Sequence, residues 1–167
     1  MDINIRQLVA KDAAQYKDLR IKALRTDADA FLMTMPEEND FDLDHVKKKI
    51  ETDYALGAFD QEKLIGSLLL IRQVPLKFRH IGILGGMYVD TAYRNKGIGR
   101  LLIKTMLQYI KTLPDVYSLQ LKVVTDNVPA LNLYESFGFK TWAAEKNALK
   151  DGERFLDQFH MMYVMER

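Results

Sequence analysis

The segment Arg94-Asn95-Lys96-Gly97-Ile98-Gly99-Arg100 places two glycines and three cations within seven residues. It follows a strand-like run, Ile83 to Val89, and opens the chain's best-patterned helical stretch. The first N–H groups of a helix have no intrahelical partner and carry a partial positive charge, so such a junction stabilises an anion such as a pyrophosphate. Glycine at 97 and 99 removes the Cβ atoms that would hold phosphate oxygens away from those groups. Arg94, Lys96 and Arg100 add charge around the same point. Two other phosphate loops fit badly. A Walker A loop needs Gly-Lys-Ser/Thr, whereas Lys96 precedes its glycine and Ile98 follows it. A dinucleotide fingerprint needs a third glycine near Leu102 and an acid roughly 20 residues on, where Val116, Tyr117 and Ser118 stand. The pattern alone is equally that of a solvated helix start.

Asn127-Val128-Pro129-Ala130-Leu131-Asn132-Leu133-Tyr134-Glu135-Ser136-Phe137-Gly138-Phe139 follows about 30 residues later. With the glycine turn, Leu64-Ile65-Gly66 and Met87-Tyr88-Val89, it resembles the GNAT superfamily of N-acetyltransferases over nearly the whole chain. The resemblance implies an α/β chain of the α+β type. A mixed, mostly antiparallel sheet with splayed middle strands is flanked by about four helices. Acetyl-coenzyme A is the implied cosubstrate, with its pyrophosphate on Arg94, Asn95, Lys96, Gly97, Ile98, Gly99 and Arg100. Its pantetheine arm pairs with the backbone of Met87, Tyr88 and Val89, where an N–H polarises the thioester carbonyl. Asn127 bonds that arm or caps the following helix, and Asn132 touches the coenzyme or is a surface amide. Tyr134 gives its proton to the departing thiolate, or is a core aromatic. A phenol, with a reference pKa of about 10, keeps its proton at neutral pH and can donate it within hydrogen-bond reach.

The implied reaction is direct transfer of an acetyl group, in a ternary complex, onto a primary amine of a small molecule or of a peptide or protein. The alternative is a catalytically silent, acyl-coenzyme-A-binding or regulatory module. There is no cysteine to carry an acyl intermediate. Attack needs a neutral amine and hence a base or a water relay. Some family members carry a glutamate on the central strand, but Ile83 to Val89 contains no carboxylate. Glu37 and Glu38 are the leading substitutes. With Asp40, Asp42 and Asp44 they put five acids in eight residues, a field for a cationic amine or a solvated acidic loop that caps the next helix. Tyr88 is a further candidate. His45, His80 and His160 make no metal pattern, and no metal is expected.

These residues need scaffolding elements. Ile3, Ile5 and Leu8 alternate as a strand, and Asp12 can cap a helix bearing Ala13, Tyr16, Leu19, Ala23 and Leu24. From Asp27 to Asp44 the pattern weakens around Pro36 and reads as a connection, resuming as a helix at Asp42 or Asp44. Tyr54 to Phe59 and Leu64 to Val74 form a hairpin, and Ile81 to Val89 is a third strand in this region. Ile98, Leu101, Leu102, Met106, Tyr109, Ile110 and Leu113 share one helical face. Ser118 to Thr125 is a strand, Pro129 to Phe137 a short helix stopped by Gly138, and about 141–147 and 155–165 are two antiparallel strands.

The 167 residues suit one domain, 1–167. A net charge of +1 provides no global field for nucleic acid or anionic membrane. Neither a signal peptide nor a span of ~20 apolar residues is present, so a cytoplasmic enzyme is expected. A homodimer is compatible with the resemblance.

Overall fold

The computed structural model describes residues 2–166. Among them are seven β-strands, in the spatial order β1-β2-β3-β4-β5-β7-β6, and five α-helices. The chain divides into two compact units, residues 2–71 with 84–112, and residues 72–83 with 113–166.

The first unit begins with β1 (Ile3–Gln7) and α1 (Ala13–Thr26). Asp12 stands just before α1, but its carboxylate turns backward. It accepts the Val9 N–H at 2.9 Å and both terminal nitrogens of Arg6 at 2.7 and 2.9 Å, and makes no side-chain bond into α1. The stretch read as a connection holds a short helix, α2 (Met35–Asp40), the fifth where about four were expected. Pro36 belongs to its first turn, where a missing N–H costs nothing. Thr34 and Glu37 close a reciprocal capping box around that turn. Asp42 then caps α3 (Leu43–Thr52) by accepting the His45 N–H at 2.7 Å.

Strand β2 (Tyr54–Asp60) pairs antiparallel with β1 and with β3 (Lys63–Arg72). Their near-continuous burial explains why both read as unbroken apolar runs. Tyr16, Leu19 and Ala23 of α1 and Val46 and Ile50 of α3 bury against Ala55, Phe59, Leu64, Leu69 and Tyr88. Strand β4 (Ile81–Val89) leads into α4 (Ile98–Ile110). The buried face of α4 is Ile98, Leu102, Ile103, Met106 and Ile110. Leu101, expected on that face, is 41% exposed. At 100° per residue Leu101 falls about 60° outside the arc of Ile98, Leu102, Met106 and Ile110 on one side, whereas Ile103 falls only about 20° beyond it on the other. Spacing alone left the centre of the stripe undecided, because apolar residues flank it on both sides.

In the second unit β5 (Ser118–Val124) runs parallel to the start of β4, Ile81–Ile83 against Ser118–Gln120. It runs antiparallel to β7 (Arg154–Val164), which pairs with β6 (Lys140–Asp151) around a turn with Gly152 at φ +58°. Helix α5 (Val128–Glu135) precedes β6, and Gly138 at φ +95° makes the left-handed exit the sequence assigned to it.

The two leucines of α4 give a direct test in urea unfolding. Leu102→Ala should cost about 2–5 kcal/mol and Leu101→Ala about 0.5 kcal/mol. Equal losses would contradict the observed rotation of the helix.

Candidate functional site

Strand β4 carries an irregularity at Gly86, where φ is +60°. A Cβ there would stand 2.6 Å from Leu69 Cδ1, so both backbone and packing require glycine. The Ser67 hydroxyl donates to the Gly86 carbonyl at 3.0 Å and fixes the kink against β3. Of the three residues beyond it, Tyr88 is buried, while Met87 and Val89 are half-buried. The Tyr88 hydroxyl shares a hydrogen bond with Thr26 Oγ1 at 3.0 Å, and its ring meets Phe31 edge-on. That side chain is therefore anchored to the α1 side of the sheet.

After Val89 the chain turns sharply. Asp90, 2% exposed, accepts Lys22 Nζ at 2.7 Å and the Ala92 N–H at 3.1 Å, capping a single 3-10 turn. Burial opposes ionisation, yet these two bonds hold the Asp90 carboxyl below its usual range. Asn95 and Gly97 both adopt left-handed φ, +61° and +77°, and curl the backbone around the start of α4. A Cβ built on Gly97 would find nothing within 4 Å, so the space beside Gly97 is open. Gly97 has no side chain and so makes no side-chain cap bond to the start of α4. Asn95, Lys96 and Arg100 are exposed around this point, Gly99 is half-buried and Ile98 is packed into the core. Lys96 Nζ has a long bond of 3.4 Å to the Ala92 carbonyl.

Arg94 is engaged differently. Its terminal nitrogens bond the two oxygens of Asp27 at 2.6 and 3.3 Å, its Nε donates to the Val89 carbonyl at 3.0 Å, and its guanidinium lies 5.5 Å from the Tyr88 ring centre. Partial burial of Asp27 opposes ionisation, but the bonds from Arg94 and Thr26 outweigh it and lower its pKa. Both side chains are about one-third exposed, so the pair contributes roughly 1 kcal/mol or less to stability. Nothing in the sequence distinguishes Asp27 from other surface acids.

The two glutamates assigned to the amine side are also occupied. Glu37 is exposed and accepts the Thr34 N–H and hydroxyl, each at 2.8 Å; the backbone bond first, then the hydroxyl, lowers its pKa. Glu38 is buried at 6% exposure, and Arg20 donates to both its oxygens at 3.2 and 3.1 Å. The Arg20 guanidinium in turn covers the Phe31 ring at 4.7 Å.

All of these residues belong to the first unit; the second holds Asn127, Asn132 and Tyr134. Asn127 Oδ1 accepts the Ala130 N–H at 3.3 Å, so it does cap α5, which leaves its amide N–H donors unused among the described residues. Asn132 is exposed. Tyr134 is buried, its ring set edge-on to Phe139, and its hydroxyl takes no partner among the described residues. Burial pushes its phenol well above the ordinary value. No group of three His, Cys, Asp or Glu residues that could hold a metal occurs among the described residues.

The pattern of the acetyltransferase (GNAT) family matches residues 20–139. An L-amino acid N-acetyltransferase, AaaT, of Escherichia coli K12 is 28% identical over 60% of this chain and 62% of its own length, so the match spans less than two-thirds of that relative. An N-alpha-acetyltransferase of Sulfurisphaera tokodaii is 26% identical over 85% of this chain and 92% of its own. Among solved structures, yncA of Salmonella typhimurium, determined with its cofactor acetyl-CoA, superposes with a TM-score of 0.87 at 18% identity, covering 100% of this chain and 96% of that one. With a glycine-opened helix start after a kinked strand and a family pattern covering most of its length, this chain belongs to the acetyltransferase (GNAT) family.

Proposed function

We propose that the chain is an N-acetyltransferase that moves the acetyl group of acetyl-coenzyme A onto a primary amine. The observation that carries this reading is the start of α4, where Gly97 at φ +77° caps the helix without a side chain and has open space where a Cβ would stand. Arg94, Asn95, Lys96, Gly97, Ile98, Gly99 and Arg100 form the diphosphate turn in this reading. Met87, Tyr88 and Val89 offer backbone to the pantetheine arm. The unused N–H donors of Asn127 suit a pantetheine carbonyl without loss of its cap, and Asn132 is a peripheral contact.

The amine nitrogen attacks the thioester carbonyl carbon, the C–S bond breaks, and Tyr134 protonates the sulfur. Solvent returns the proton to the phenolate, and the proton released by the amine leaves through water. Glu38 shapes the amine side through its ion pair rather than as the base, since both its oxygens already accept from Arg20. Glu37 contributes negative charge from its cap position. The acceptor is a small-molecule, peptide or protein amine. An amino acid and a protein N-terminus lead the field, following the names of the two relatives above.

The test mixes the protein with acetyl-coenzyme A and a panel of amino acids, polyamines and peptides, and follows thiol release. Amine-dependent thiol is expected. Coenzyme binding without it would favour the silent module instead. Tyr134→Phe should lower kcat about 100-fold or more and leave coenzyme A affinity within about twofold, because the hydroxyl is needed only as the sulfur departs. Equal losses in both would make Tyr134 a packing residue.

The raised phenol of Tyr134 also fixes a sign in pH. A group that holds its proton more tightly in the folded chain stays protonated as pH rises, so its ionisation should impose no fall in kcat up to about pH 10. A fall between pH 8 and 9 that disappears in Tyr134→Phe would contradict this. Gly97→Ala should cost only about 1 kcal/mol of stability from its positive φ, yet weaken coenzyme A by about tenfold or more, read by calorimetry.

A further inference from the structure

The motif that suggests a diphosphate site assigns Arg94 to the phosphates, but its side chain already has an occupation. Three of its five N–H donors are committed: that of Nε to the Val89 carbonyl, and one on each terminal nitrogen to the two oxygens of Asp27. A guanidinium is a planar fork with fixed donor directions, so these bonds fix where its two remaining N–H groups point, and it cannot present its bidentate edge to a phosphate without releasing Asp27. The bonds join distant parts of the first unit. Asp27 ends α1, Val89 ends β4, and Arg94 opens the turn before α4.

A second ion pair makes the same connection with the charges exchanged. Lys22 of α1 donates to the buried Asp90 at 2.7 Å, and Asp90 caps the 3-10 turn that precedes Arg94. Between these two pairs Thr26 holds the Tyr88 hydroxyl at 3.0 Å. Lys22, Thr26 and Asp27 of α1 thus grip Asp90, Tyr88 and Arg94 in three consecutive bonds. This grip covers the stretch where β4 becomes the glycine turn.

We infer that Arg94 and Asp27 are positioning residues: their bidentate pair holds the end of β4 and the glycine turn against α1, and the guanidinium does not itself ligate the diphosphate. The inference rests on the functional reading above. The phosphate charge then falls to the α4 N–H groups and to cations such as Lys96, whose ammonium has a long bond to the Ala92 carbonyl and lies 5.3 Å from the Tyr93 ring centre. Because Asp27 and Arg94 are each about one-third exposed, water can replace the lost partner, and the fold should survive their removal.

The experiment compares Asp27→Asn, Arg94→Gln, Arg94→Lys and the double variant Asp27→Asn/Arg94→Gln. Coenzyme A affinity is read by calorimetry, and kcat/KM is read with both acetyl-coenzyme A and S-acetylpantetheine, which lacks the diphosphate. For a positioning pair, both Asp27→Asn and Arg94→Gln weaken coenzyme A by about three- to tenfold, and the double variant is no worse than the singles, since each removes the same interaction. Arg94→Lys loses as much as Arg94→Gln, because a lysine cannot bridge both Asp27 oxygens. The loss persists with S-acetylpantetheine, while melting temperatures stay within about 4 °C of the unaltered protein. The inference is overturned if Asp27→Asn is harmless or tightens binding, if Arg94→Lys keeps full affinity, or if the loss vanishes with S-acetylpantetheine; each would make Arg94 a phosphate ligand. Losses that only track a lower melting temperature would overturn it in favour of a purely structural pair. Failure of the unaltered protein to bind coenzyme A would instead defeat the functional reading itself.

Discussion

A helix cannot satisfy its own first N–H groups, and in α4 the residue that would ordinarily shield them is a glycine in a left-handed conformation. No side chain at the cap stands over the polar end of this half-buried helix. The rest of the first unit follows from holding that end still. Ile98, Leu102, Ile103, Met106 and Ile110 bury one face of α4, and the strand feeding it is kinked at Gly86 and pinned by Ser67. The turn between them is tied back to α1 through Asp90 and Arg94.

The polar side chains near this turn are used mainly for holding rather than for binding. Arg94, Asp90, Tyr88, Glu37 and Glu38 each have protein partners that account for their orientation. Two features stand apart. Tyr134 is 6% exposed with its ring edge-on to Phe139, and its hydroxyl takes no partner among the described residues. The N–H donors of Asn127 remain unused among the described residues while its oxygen caps α5. Both residues lie on α5 or its cap.

Charge placement agrees with this division. The chain is nearly neutral overall, so recognition has to be local. Lys96 and Arg100 stand exposed near the open helix start, whereas the acidic run after Met35 is largely absorbed into structure. Glu37 closes a capping box, Glu38 pairs with Arg20 and Asp42 caps α3. An acidic cluster in sequence thus became two helix starts and a buried ion pair, leaving little free charge to act as a base.

What the sequence determined by itself was whatever depends on neighbouring residues. The strand that ends at Val89, the glycine turn, the start of α4, the Asn127 cap and the Gly138 exit are each set by side chains within a few positions of one another. Local dihedral preference and unpaired backbone groups suffice to write them. The rotation of α4 that buries Ile103 instead of Leu101, the helix within the 27–44 connection and the partners of Arg94, Asp90 and Glu38 were decided only on folding. Asp27 and Arg94 are 67 residues apart, and Lys22 and Asp90 are 68 apart. No periodicity or motif encodes such pairs; they exist because packing α1 across β4 leaves those charges facing each other.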